Sequence, residues 1–193
     1  MKKLISLIFT AMFVFPLLAQ TNVATTTAID YYGIDYSIGK VFGTKESPAK
    51  FQKIFNAINE LVVHESSKYN VGKFFKKKDV ETLLDVTLSN NNAIDSAVIC
   101  TTNSNYKLTD EQLALLVKSY NIVPKHSVGM VIVSELLNKS SNKGNYYVVF
   151  FDTNSKEILF SKFVSGKAGG FGLRNFWAGS IYDIMNSWKY PKA

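Results

Sequence analysis

Asp35 is the acidic residue whose position most suggests chemistry. It lies inside a predicted strand, in the run Gly33-Ile34-Asp35-Tyr36-Ser37, where strand propensity disfavours aspartate. A buried carboxyl group must be paired or hydrogen-bonded, and the only arginine of the chain, Arg174, offers five donors in a rigid fork. We therefore predict a contact between Asp35 and Arg174, and Asp35, Tyr36 and Arg174 are candidate ligand-binding residues.

This predicted pair has two interpretations. It could be a structural link between the first strand and the last helix, or it could be the acid and the substrate clamp of a hydrolase-like enzyme with a cleft around Asp35 and Arg174. The structural interpretation is favoured, because a catalytic assignment requires several convergent groups. The enzyme remains the alternative.

Lys167 is the fourth ligand-binding candidate, because it lies in a glycine-rich turn before a predicted helix and helix N-termini bind anions. In a phosphate-binding loop, however, Gly-Lys is followed by Ser or Thr, whereas Ala168 follows here. A strand-to-helix turn is the favoured interpretation. Gly170 and Gly172 are assigned a structural role in it, since glycine tolerates positive φ.

The remaining reactive side chains lack the spacing of a catalytic or metal site. His64 and His126 have no partners at metal-ligand spacing, and no serine lies in a Gly-x-Ser-x-Gly sequence. Cys100, the only cysteine, lies in the apolar run Ala97-Val98-Ile99-Cys100 and is predicted to be a buried structural thiol. We expect no cofactor and no metal, and nothing in the sequence points to an enzyme.

The charge of the chain is basic but is carried almost entirely by lysine. The formal net charge is +7, and it falls to +5 if residues 1–20, which contain two lysines, are removed. Bidentate recognition of phosphates and bases favours arginine. The lysine cluster at residues 73–78 is therefore interpreted as a solvated face, and no nucleic-acid partner is expected.

The first 20 residues have the pattern of a secretory signal peptide. Lys2 and Lys3 precede an apolar run, and Ala19 is a small residue at a plausible cleavage point. No cysteine follows that could carry a lipid anchor. We expect a periplasmic or secreted protein without stable membrane insertion, in which residues 21–28 form a flexible N-terminus and residues 29–190 form a single domain.

Hydrophobic periodicity predicts the elements of that domain. Period-two alternation over 29–42 predicts a long first strand, and the apolar spacing after Ser47-Pro48 predicts a helix. A second helix is predicted over 77–88, and Thr109 begins a capping-box helix. Three closely spaced strands follow between 128 and 164, and the last helix contains Trp177 and Trp188, to which a structural role is assigned.

This order of elements predicts an α+β fold. Three consecutive strands favour a single-domain sandwich whose mostly antiparallel sheet, made of the N-terminal strand and the C-terminal meander, is covered by about four helices.

Two stretches resemble known proteins. The runs GIDYSIGKVFG and GFGLRNFWAGSIYDIMNSW resemble a group of uncharacterised exported proteins of Gram-negative bacteria. The run VVFFDTNSKEILFSKFVSG is similar to a segment of curli-secretion and penicillin-binding-protein-activator lipoproteins. The second resemblance implies an envelope-associated domain with a protein partner, and it transfers no functional residues.

The predicted function is therefore that of an exported, non-catalytic envelope binding or accessory protein. The expected partner is another envelope protein or a glycan, because a tyrosine-rich exported domain can present amphipathic anchors to either. The sequence leaves the ligand and the oligomeric state open.

Overall fold

The computed structural model describes residues 23–191. After a helical turn at 23–25, the described chain forms seven strands, five α-helices and one 3-10 helix. In chain order they are β1 (Ala28–Asp35), β2 (Lys40–Phe42), α1 (Pro48–His64), α2 (Val71–Phe74), β3 (Asp79–Thr82), α3 (Asp85–Asn92), the 3-10 helix (Ser96–Val98), β4 (Cys100–Thr101), α4 (Asp110–Lys118), β5 (Val128–Asn138), β6 (Lys143–Asp152), β7 (Ile158–Lys167) and α5 (Leu173–Asn186).

The seven strands form one mixed sheet with β5 at its centre. β1 and β2 follow one another along one edge of β5, and both run parallel to it. β3 then pairs in parallel with β1, and β4 pairs in parallel with β2. On the other side of β5, β6 and β7 are antiparallel neighbours. Within the described chain, β3, β4 and β7 are therefore the edge strands of the sheet.

The prediction of a mostly antiparallel sandwich covered by about four helices is wrong. The first strand joins the sheet in parallel with β5, and the segment 77–88, predicted as a helix, contains strand β3 and the start of α3. The apolar residues Val80, Leu83 and Leu84 fit helical spacing locally. Their position is instead decided by parallel pairing with β1, a contact between distant segments that periodicity does not detect.

Helices cover both faces of the sheet. The larger core lies between one face and helices α1, α2 and α5, and the smaller core lies between the other face and α4. Residues of β5 alternate between the two, since Met130 and Ile132 enter the larger core while Val131 and Val133 enter the smaller one. A strand buried on both faces reads as a continuous apolar run, as this strand does.

Gly33 produces an irregularity in β1. Its φ is +83°, and a Cβ there would lie 2.6 Å from Asn59 Oδ1. The register of β1 against β5 shifts between Tyr31 and Ile34, and the Asn59 amide bonds both the N–H and the C=O of Ile34, at 2.7 and 2.9 Å. The shift moves the side chains of β1 between faces, so Tyr31 and Ile34 share the larger core while Tyr32 lies in the smaller one.

Helix α5 closes the larger core. Trp177 is fully buried, and Trp188, just after the helix, packs against the rings of Phe75 and Phe160. The turn before α5 contains Gly170 with φ +130° and Gly172 with φ +79°. A Cβ on Gly170 would lie 2.9 Å from the carbonyl oxygen of Asn175, so this turn has no room for a larger residue there.

The N-terminal segment that was predicted to be flexible contributes to the core. Val23 is 1% exposed, and the ammonium group of the buried Lys77 donates to the carbonyl oxygens of Val23 and Thr26 at 2.6 and 2.7 Å. The predicted signal peptide, residues 1–20, lies outside the described residues. No helix within 23–191 is long and apolar enough to span a bilayer.

Candidate binding groove

A cavity lies between the end of α1, the connection to α2, and the edge strand β3. It has a volume of about 400 Å³, within the range of small-ligand sites. Its lining combines apolar, hydroxyl and amide side chains and includes no charged residue: Tyr31, Val62, Val63, Ser66, Ser67, Tyr69, Asn70, Val71, Gly72, Val80 and Thr82. We call this cavity the α1–β3 groove.

One wall of the α1–β3 groove is the open edge of the sheet. The N–H groups of Asp79 and Leu83 donate to the carbonyl oxygens of Thr27 and Tyr31, so alternate residues of β3 point their backbone groups towards β1. Because successive residues of a strand point to opposite edges, Val80 and Thr82 direct their N–H and C=O groups outward. These are the two β3 residues that line the groove.

Helix α2 closes the groove near Val80. Gly72 allows this approach, because a Cβ at that position would lie 2.9 Å from the carbonyl oxygen of Lys77 and 3.6 Å from Val80 Cγ2. Asn70 holds the start of α2 through its side-chain oxygen, which accepts a hydrogen bond from the Lys73 N–H at 2.8 Å. The groove therefore has a strand edge on one side and helical walls on the other.

The predicted site residue Asp35 is fully buried and lies elsewhere. Its side-chain oxygens accept hydrogen bonds from the Ser37 N–H at 2.8 Å, from the Asn90 amide at 2.9 Å and from the Tyr120 hydroxyl at 2.9 Å. Burial, and then the neighbouring Asp35, raise the pKa of Tyr120 well above its ordinary value. Asp35 thus links β1 to α3 and to the end of α4.

The predicted contact between Asp35 and Arg174 is not formed. Arg174 is exposed at the start of α5, and its Nε donates to Asn175 Oδ1 at 3.0 Å. Asp35 already accepts three hydrogen bonds, so it does not require a cation. The structure places these two residues at separate sites.

Tyr36 and Lys167 also lie apart from one another. Tyr36 is 2% exposed, and its ring stacks on Phe55 with centroids 4.1 Å apart. Burial raises the pKa of Tyr36 well above its ordinary value. Lys167 is exposed at the end of β7, and its backbone N–H donates to Asp183 Oδ2 at 2.8 Å. The ligand-binding roles suggested for the four candidates remain predictions.

The expectation that Cys100 is buried is wrong. Cys100 is exposed on the two-residue edge strand β4, whereas its neighbour Ile99 is 2% exposed and enters the larger core. Ile99 caps the 3-10 helix in a helical conformation (φ −63°, ψ −47°), and the chain leaves this turn at Cys100, which begins the edge strand. Partial desolvation still raises the pKa of its thiol.

A second polar arrangement lies near the amino ends of β1, β3 and β5. We call it the Asp30–His126–Asp79 cluster. Asp30 is fully buried and accepts hydrogen bonds from the Lys125 N–H at 2.8 Å and from the His126 N–H at 3.1 Å. His126 Nδ1 lies 2.8 Å from Asp30 Oδ1, and its Nε2 lies 3.3 Å from Asp79 Oδ2. The hydrogen bond to Asp30 is the main cause of a raised pKa at His126.

This cluster positions the groove strand. Asp79 belongs to β3, and Glu81 of the same strand pairs with Lys125 through Oε1 and Nζ at 2.5 Å. The segment before β5 therefore holds β3 through two adjacent ionic contacts. An imidazole between two carboxyl groups can also hold a proton.

No local pattern in the sequence identified Asp30, Asp79 or the groove residues as parts of a site. His126 was noted, but without its partners, because Asp30 lies 96 positions away. An aspartate inside an apolar strand is the one local signal that pointed to Asp35, and it applies equally to Asp30. Within residues 23–191, no group of three or more His, Cys, Asp or Glu side chains could hold a metal ion.

Comparison with known proteins finds only a weak structural similarity. No family model and no curated protein matches the chain. Among solved structures, the chain is similar to the C-terminal domain of LpoB from Salmonella enterica, with 9% sequence identity, coverage of 79% of this chain and 94% of that domain, and a TM-score of 0.34. This faint structural likeness is to a penicillin-binding-protein activator, the group that one stretch of the sequence resembles. It does not support the suggested group of exported proteins, and at this TM-score it carries no argument about the site.

Proposed function

We propose that this protein is an exported, non-catalytic binding or accessory protein that takes up an extended segment of a partner polypeptide in the α1–β3 groove. The segment would lie beside β3 as an additional strand. The proposal rests on Val80 and Thr82, whose backbone groups face away from β1 and which both line a cavity of about 400 Å³. Addition of a strand to an open sheet edge is a general mode of peptide recognition.

The lining of the groove favours a peptide without charged side chains at the bound positions. Val62, Val63 and Val80 offer apolar contact, while Ser66, Ser67 and Thr82 offer hydroxyl groups. A charged side chain would lose hydration without gaining an ionic partner from the lining. β3 has four residues, so the ladder would engage a short stretch of the partner.

Another envelope protein is therefore the proposed partner, in preference to a glycan. A glycan has no regular series of amide groups to match the strand edge. The proposal that the protein is exported is based on the signal-peptide pattern of residues 1–20. Asp35 and Arg174 do not form the cleft expected of a hydrolase-like enzyme, because Asp35 has no exposed surface and does not contact Arg174.

The test distinguishes peptide binding through the backbone groups of β3 from binding through the side chains of the groove. A phage-displayed library of linear peptides is selected on the protein, and the best peptide is titrated by fluorescence anisotropy. Thr82→Pro removes the outward N–H while leaving the bonds to β1, since proline is tolerated on edge strands. We expect it to weaken binding about tenfold, the effect of losing about 1.4 kcal/mol.

The matched control is Thr82→Val, which lacks the hydroxyl group as proline does but keeps the backbone N–H, so it should bind the peptide more tightly than Thr82→Pro. Melting curves of both variants establish that each is folded. Equal binding by Thr82→Pro and Thr82→Val would contradict strand addition. Failure of the library to yield a groove-dependent peptide would contradict the peptide-binding function as a whole.

A further inference from the structure

β7 is the longest of the three edge strands. It has ten residues and pairs with β6 alone among the described residues, whereas β3 and β4 have four and two residues. A long open edge can pair with another chain, and natural proteins commonly block it with charged side chains. Lys162, the one charged residue within 158–166, does not serve this purpose, because its Nζ donates to the carbonyl oxygen of Lys189 at 2.6 Å and lies over the ring of Trp188.

Two hydrogen bonds at the end of β7 show which of its backbone groups point away from β6. The Ala168 N–H donates to the carbonyl oxygen of Asn142, on the β6 side, at 2.8 Å. The Lys167 N–H donates to Asp183 Oδ2 of α5 at 2.8 Å. Because successive residues of a strand point to opposite edges, the odd-numbered residues of β7 before Lys167 also direct their N–H and C=O groups outward.

The outward groups that stay available form a short stretch of three residues, Ser161, Phe163 and Ser165. All three side chains are exposed, that of Phe163 to 47%. At one end of the stretch, Asp183 occupies the next outward N–H. At the other end, Leu159 has no partner in β6 because the register shifts there, and such a bulge interrupts regular pairing. Phe163 is therefore the midpoint of the open edge.

We propose that two copies of this chain pair through this edge of β7, antiparallel to one another, with the twofold axis at Phe163. A stretch that is bounded equally on both sides of one residue matches itself when a second copy is rotated about that residue. Each Phe163 then faces the other, and each Ser161 faces Ser165 of the second copy. The two sheets join into one, on the side opposite to β3 and the α1–β3 groove, so the dimer does not depend on the groove.

The side chains of β7 are compatible with this register. Lys162 would lie opposite Val164 of the second copy, and Lys167 opposite Leu159, so no two lysines are directly opposed. Like charges directly opposite one another would destabilise the pairing, whereas an aromatic pair across the strands favours it. The ring of Phe163 already packs against Tyr147, with centroids 5.6 Å apart, and pairing would cover more of its exposed half.

The first experiment measures the monomer–dimer equilibrium of the exported protein by analytical ultracentrifugation. We expect a reversible dimer that Ser165→Pro weakens at least tenfold, because each copy loses an outward N–H, while proline is tolerated on edge strands. The matched control is Ser165→Ala, which also lacks the hydroxyl group but keeps the N–H, so it should dimerise more tightly than Ser165→Pro. A wild-type protein that stays monomeric up to about 1 mM, or equal dimerisation by the two folded variants, would overturn the proposal.

A second experiment tests the register by disulfide formation in a Cys100→Ser background. Oxidation should join two copies of Phe163→Cys, because directly opposed residues that exchange hydrogen bonds have Cα atoms about 5.5 Å apart, within the range of a disulfide. Ser161→Cys should not join to itself, since the same residue of the second copy lies four positions away, about 13 Å along the strand. It should instead join to Ser165→Cys when the two variants are mixed. Linkage of Ser161→Cys to itself as readily as Phe163→Cys, or no linkage of Phe163→Cys, would exclude this dimer.

Discussion

The imidazole of His126 is held by the buried carboxyl group of Asp30, with Nδ1 2.8 Å from Oδ1. On its other side the ring faces Asp79 of the groove strand, with Nε2 3.3 Å from Oδ2. Lys125, Glu81 and Tyr32 are the other titratable side chains around this cluster. Protonation of His126 therefore affects a contact that holds β3 in place.

The first prediction concerns the pH dependence of this contact. Because Asp30 and, to a smaller extent, Asp79 raise the pKa of His126 in the folded protein, its stabilising contribution is fully present below about pH 6.5, the ordinary histidine value. It is lost as the pH rises through the raised folded pKa. Melting temperatures of His126→Gln and the wild type should differ most at low pH and converge at high pH.

His64→Gln is the matched control, since His64 lies at the exposed end of α1. If the melting temperatures of His126→Gln and the wild type differ equally at low and at high pH, the contact does not depend on the charge of the imidazole.

The second prediction concerns Glu135. Its side chain is 1% exposed, one oxygen accepts the Leu108 N–H at 3.0 Å, and the Tyr147 hydroxyl and the Lys107 ammonium group offset only part of the cost of burying its charge. Burial raises the pKa of Glu135, so its favourable contribution is present below the ordinary glutamate pKa and is lost as the pH rises through the folded pKa. Glu135→Gln should raise the melting temperature at pH 8 by about 2–4 °C.

The gain from Glu135→Gln should diminish towards pH 4, where the wild-type carboxyl group is protonated. Glu157→Gln, at an exposed position, serves as control and should change the melting temperature little at any pH. If Glu135→Gln lowers the melting temperature at pH 8, the buried carboxylate does not destabilise the protein as predicted.

The third prediction compares the two residues that were expected to form a pair. Asp35→Ala leaves the buried Tyr120 hydroxyl and the partly buried Asn90 amide without an acceptor, which should lower the free energy of unfolding by about 1–3 kcal/mol. Arg174→Ala removes an exposed side chain and should change it by less than about 0.5 kcal/mol. Urea denaturation measures both, and equal losses would contradict the separation of these residues.

The fourth prediction concerns Lys77. Its ammonium group is buried, and desolvation lowers its pKa to about 8. The folded state therefore favours the neutral amine, and the contribution of Lys77 to stability decreases as the pH falls through about 8. NMR of the lysine side-chain resonances should show one that titrates near this value. Its persistence in Lys76→Arg and its absence in Lys77→Arg would assign it.

The fifth prediction concerns Cys100. Because the thiol is exposed, Ellman's reagent should modify the native protein without denaturant, and Cys100→Ser should abolish the reaction. The raised pKa of the thiol should make the reaction slower than that of free cysteine at neutral pH. A thiol that reacts only after unfolding would support the burial originally predicted from the sequence.

Elements with strong local determinants were predictable. Thr109 and Gln112 form the predicted capping box, with reciprocal hydrogen bonds of 3.2 and 2.9 Å. Pro48 begins α1 as expected from its place after Ser47. Each of these features depends on residues a few positions apart, and local sequence is sufficient to specify it.

Elements that depend on distant contacts were not predictable in the same way. β3 was assigned to a helix because its apolar residues fit both periods, and its pairing with β1 decided the outcome. In β1, the irregularity at Gly33 placed Tyr32 in a different core from Ile34, although strict alternation predicted one face for both. The exposure of Cys100 was missed because a 3-10 helix, and not a strand, precedes it.

The sequence by itself determined the local beginnings of α1 and α4, the apolar character of the central strands, and the basic charge of the chain. Tertiary structure alone decided the strand order, the partners of Asp35 and of His126, and the groove beside β3. The physical reason is the separation along the chain: Asp30 and His126 are 96 positions apart, and Asp35 and Tyr120 are 85 apart. Packing of the whole chain brings such residues together, and local secondary-structure propensities do not specify these contacts.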